Sequence, residues 1–96
     1  MTRIRRLLLD VLKPHHPSIL ELGKLLAEQG EQRVKLTVLE MDDQTETLQV
    51  EITGPDISFE RVRETIDAFG ASLHSIDEVE VENRQESAVA PGADRP

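Results

Sequence analysis

Leu7-Leu8-Leu9-Asp10-Val11-Leu12-Lys13-Pro14-His15-His16-Pro17-Ser18 is the stretch from which the fold follows. An aliphatic run with one acid reads as a strand, and Lys13-Pro14 ends it before two histidines held between prolines. Extended back to Ile4, the run carries apolar residues on both faces. A period of two sends Leu7, Leu9 and Val11 one way and Arg6, Leu8, Asp10 and Leu12 the other. The first row is assigned to a core under helices, the second to an open sheet face.

Working outward, Ser18 and Glu21 have the spacing of a capping box, and Ile19, Leu22, Leu25 and Leu26 form a helical stripe that stops near Gly30. Val34, Leu36 and Val38 alternate as a second strand. Asp42-Asp43-Gln44-Thr45 supplies turn residues, and Leu48, Val50 and Ile52 alternate as a third strand before Gly54-Pro55. Phe59, Val62, Ile66 and Phe69 fall at helical offsets behind a capping Ser58 or Asp56, with Gly70 as the stop. Leu73 to Val81 returns to strand character, with a change of apolar phase that predicts a bulge or an irregular start near Ser75 to Asp77. The order βαββαβ predicts an α+β, ferredoxin-like sandwich: a four-stranded antiparallel sheet of order 4-1-3-2 with two helices on one face. Residues 1–82 form its single domain. Residues 83–96 lose all periodicity and read as a mobile tail.

The 96 residues carry 19 acids against 11 bases, a formal charge of −8 that opposes binding to nucleic acid phosphates or anionic lipid. Phe59 and Phe69, the only aromatics, sit on a helix stripe, so the sheet offers no surface for base stacking. Neither nucleic acid nor membrane is therefore expected as a partner. There is no cysteine for a disulfide or thiolate site, and the dispersed glycines form no phosphate-binding loop. Arg3, Arg5 and Arg6 precede an apolar run too short and too charged for export or membrane spanning, which points to the cytoplasm.

Leu8 and Leu12 on the open face, joined by Leu39 and Met41 from the second strand and Ile76 from the fourth, make a surface more apolar than a small monomer leaves wet. They are the candidate interface of a homo-oligomer. Glu78, Glu80 and Glu82 form a solvated row that also discourages uncontrolled edge pairing.

The same sheet order gathers the end of strand one, the hairpin turn and the start of strand four into one rim. Asp10, His15, His74, Asp42 and Asp43 are its candidate ligands for a divalent cation, either calcium or a transition metal. Lys13, His15 and His74 are its candidate small-ligand contacts. His16 neighbours His15, but no His-x-x-x-His pair fixes two ligands on one element. The competing reading has His15 and His74 bonding backbone or a neighbouring subunit, Asp42 and Asp43 capping their own turn, and Lys13 oriented against Asp10 or an interfacial glutamate. No serine or cysteine nucleophile occupies a recognisable turn, so a non-enzymatic module leads over a small enzyme with a rim shared between subunits.

Leu9-Asp10-Val11-Leu12-Lys13-Pro14-His15, Pro17-Ser18-Ile19-Leu20-Glu21-Leu22 and Leu73-His74-Ser75-Ile76-Asp77-Glu78-Val79 resemble, in order and separation, the small archaeal proteins of the domain of unknown function 211 family. The resemblance spans residues 3–82. It implies a ferredoxin-like fold, ring-like homo-oligomers and no established enzymatic activity. His16 stands where the family more commonly has an acid, and the tail beyond Glu82 is longer than the family pattern.

Overall fold

The computed structural model describes residues 1–83. The elements run β1 (Thr2–Pro14), α1 (Ile19–Ala27), β2 (Arg33–Met41), β3 (Thr45–Thr53), α2 (Phe59–Ala68) and β4 (Ser72–Asn83). The sheet order is β2-β3-β1-β4 with antiparallel neighbours throughout, the ferredoxin-like layout expected. Asn83 pairs with Thr2, so the last strand continues one residue beyond the expected domain end. The expected tail otherwise lies outside the described residues. Among those described, no helix is long and apolar enough to cross a membrane.

Leu7, Leu9 and Val11 of β1 and Leu48, Val50 and Ile52 of β3 are buried against Leu22 and Leu26 of α1 and Val62 and Ile66 of α2. Each such side chain contributes about 1.5–3 kcal/mol on leaving water. The helices end differently. Ser58 caps α2 by accepting from the Arg61 N–H, and Gly70, at φ +88°, turns the chain so that Gly70 and Ala71 donate to the Asp67 and Ile66 carbonyls. Ser18 makes no side-chain cap, so the expected capping box does not form; its carbonyl instead accepts from Glu21 and Leu22. Gln32 closes the other end of α1 by donating to the Leu26 carbonyl.

Three register shifts separate β1 from β4. They leave Arg5 extra on β1 and His74 and Asp77 extra on β4. A fourth leaves Leu39 extra on β2. These bulges decide which side chains share a face.

Candidate functional site

The rim forms where expected: Pro14 pairs with Thr45, Lys13 with Glu46, and Leu12 with Ser72. Its centre, however, is Lys13. Counting in twos from Leu7 puts this lysine on the helix side, where its side chain is wholly buried. Its ammonium meets Glu46 Oε2 at 2.7 Å and donates to the carbonyls of Pro14 and Pro17 at 2.6 Å each, with that of His15 at 3.3 Å. Four oxygens thus surround one cation of the chain's own, inside the proline-braced loop at the rim. Asp10 lies on the opposite face and is not its partner. Glu46, not among the residues expected at the rim, continues the buried row Leu48, Val50, Ile52, and that phase is its signal in the sequence.

His15 points along the same rim. Its Nε2–H donates to the Asp42 carbonyl at 2.8 Å, while Nδ1 lies 3.9 Å from Glu46 Oε1. Asp42 closes its own turn, accepting from the backbone N–H groups of Gln44 and Thr45 at 3.0 and 2.8 Å and from the Thr45 hydroxyl. The bonds from Thr45 and Gln44 hold the Asp42 carboxyl below the usual carboxylate range. Asp43 is exposed beside it.

His74, extra in the β4 ladder, folds onto the open face, where its Nδ1–H donates to Asp10 Oδ2 at 3.2 Å. The histidine side chain is 76% exposed and the aspartate 26%, and the buried Oδ1 of Asp10 has no hydrogen-bond partner. The donors expected as one cation site therefore divide: His15 and Asp42 lie beside the Lys13–Glu46 pair, Asp43 stands exposed next to them, and Asp10 pairs with His74 on the open face. Among the described residues, no three His, Asp or Glu side chains come together with the geometry to hold a metal.

The apolar open face is also redrawn. Leu8 has Glu51 and Glu78 as its cross-strand neighbours, and Arg6 is ion-paired with both acids. Ile76 pairs with Leu9, so the bulge at His74 moves it to the helix side. Beyond the bulge at Leu39, Glu40 pairs with Thr47 and Met41 with Glu46. Glu40 thus holds the open-face register assigned to Met41, while Met41 lines a hollow together with Leu12, Glu40, Thr45 and Thr47. Leu12 and Leu39 remain exposed. A further exposed apolar row lies at a sheet edge, where Ile76, Val79 and Val81 of β4 are 50%, 51% and 54% exposed.

The family model DUF211, described as "Uncharacterized ArCR", matches residues 5–86. Uncharacterized protein MJ0319 of Methanocaldococcus jannaschii is 42% identical to this chain over 80 residues, which cover 82% of each sequence.

Proposed function

Starting from a chain that belongs to the DUF211 family, we propose that it is a homo-oligomeric, non-catalytic module of the cytoplasm whose rim receives a cation or small ligand between subunits. The half-exposed row Ile76, Val79 and Val81 carries the self-association reading, because a domain this small gains by burying such a row against a partner. At the rim, Lys13, His15 and Asp42 are already engaged within the chain. The groups not engaged are the outer nitrogen of His74, the exposed Asp43 carboxylate and the buried Asp10 Oδ1, which do not come together in one copy. Further ligands for a cation would therefore come from a second.

The Asp10–His74 pair also favours one second reading. A carboxylate that holds Nδ1–H leaves Nε2 available as a base, the element a small enzyme with a shared site would need.

Mass under native conditions tests the main reading. A multimer at micromolar concentration is expected, and a monomer overturns it. Calorimetric titration with calcium and with zinc, repeated on Asp10→Asn, tests the rim: binding that the variant loses supports a site there, and identical isotherms remove it.

A further inference from the structure

Among the described residues, both outer strands of the sheet offer an unpaired backbone edge, and their side chains are complementary. β4 places Ile76, Val79 and Val81 in the registers of Leu9, Leu7 and Ile4 on the helix side, with Glu78 and Glu80 on the open face. β2 places Val34, Leu36 and Val38 on the helix side, opposite Ile52, Val50 and Leu48, while its first half carries exposed Arg33 and Lys35 on the other. An apolar groove runs beside β2, lined by Ile19, Leu20, Gly23, Ala27, Val34 and Leu36. One edge thus has an uncovered apolar row with acids, and the other has an apolar groove with bases.

We infer that the β4 edge of one copy pairs with the β2 edge of a second copy, seating Val79 and Val81 in the α1–β2 groove. This rests on the self-association proposed above and names the surface that performs it. Within one copy β4 runs opposite to β2, so two copies in the same orientation meet antiparallel with their helices on one side of a continuous sheet. A register that sets Val79 against Leu36 of the second copy also sets Glu80 against Lys35 and Val81 against Val34. Opposite charges directly across a ladder stabilise it, and like charges destabilise it. Two β4 edges would oppose glutamates, and two β2 edges would oppose Arg33 and Lys35. The charges therefore select unlike edges. Such a contact is head-to-tail and must close into a ring or continue as a filament.

Charge reversal in the full-length chain tests this. Lys35→Glu and Glu80→Lys should each raise the concentration needed for assembly by roughly tenfold or more. An equimolar mixture should then reassemble into multimers in which the two variants alternate, because the acidic edge of the first variant meets the basic edge of the second. Retention of wild-type mass by each variant alone overturns the edge pairing but leaves self-association standing, as does a mixture that stays dissociated. A monomeric wild type overturns both. The chain has no cysteine, so a Lys35→Cys/Glu80→Cys double variant gives an independent reading. Oxidation should yield covalent multimers on denaturing electrophoresis, and a single monomer band from folded variant overturns the pairing.

Discussion

Lys13 and Glu46 face each other across β1 and β3 with Nζ 2.7 Å from Oε2, and the lysine side chain is wholly buried. The pair sits at the end of two core rows, where apolar alternation gives way to charge without a change of phase. The carbonyls of Pro14 and Pro17 complete the shell around the ammonium, so the lysine fastens the proline-rich loop to the sheet.

Lys13→Met should destabilise the fold by about 3–5 kcal/mol, because it strands the Glu46 carboxylate. Lys13→Met/Glu46→Leu should recover part of that loss by removing the stranded charge. Urea unfolding measures both. A double variant no more stable than the single one would show that the loop carbonyls, rather than the ion pair, dominate.

Asp42 should make the hairpin acid-sensitive. Its folded carboxyl titrates below its unfolded value, so its contribution is present above the unfolded pKa and fades as pH falls through the folded one. Asp42→Asn keeps an acceptor but does not titrate. Circular dichroism across the acid limb should show a shallower loss of stability for the variant than for wild type.

Gly54→Ala should cost about 1–3 kcal/mol. An added Cβ would lie 2.8 Å from the Glu31 carbonyl oxygen, and the backbone is pinned there by the Gly54 N–H bond to the Arg5 carbonyl. Thermal melting checks this, and an unchanged midpoint would mean that the α1–β2 connection yields freely.

Leu8→Glu and Val79→Asp separate the open face from the edge. Leu8 already lies between Glu51 and Glu78, so another acid there should leave native mass unchanged. Val79→Asp would desolvate a charge in the proposed contact and should dissociate the multimer. The reverse pattern in light scattering would return the interface to the open face.

His74→Ala should change stability by less than about 1 kcal/mol, since the hydrogen bond it removes is given by a side chain that is mostly in water. A larger loss in urea unfolding would assign His74 a packing role in the bulge.

The strand and helix order was legible because Leu7, Leu9, Val11, Leu48, Val50 and Ile52 alternate while Leu22, Leu26, Val62 and Ile66 recur at helical spacing. Ser58 and Gly70 were readable as helix signals for the same local reason, and both act at the ends of α2. Ser18 was not, because a capping motif needs a side-chain direction that spacing does not specify. The meeting of His74 with Asp10 was readable from the sheet order. The partner of Lys13 was legible only as far as phase: Lys13 and Glu46 both continue core rows, but which acid meets the lysine depends on the register of β1 against β3.

The sequence by itself determined the order of elements, the sheet topology it implies and the family resemblance, since these rest on periodicities that each segment carries locally. Only the tertiary structure decided which face Ile76 and Met41 occupy and where the lysine charge goes. One extra residue at His74 or Leu39 reverses the alternation that follows, and whether the ladder absorbs that residue depends on β1 and β3, far away along the chain. A buried ammonium likewise finds its oxygens only after distant segments have met.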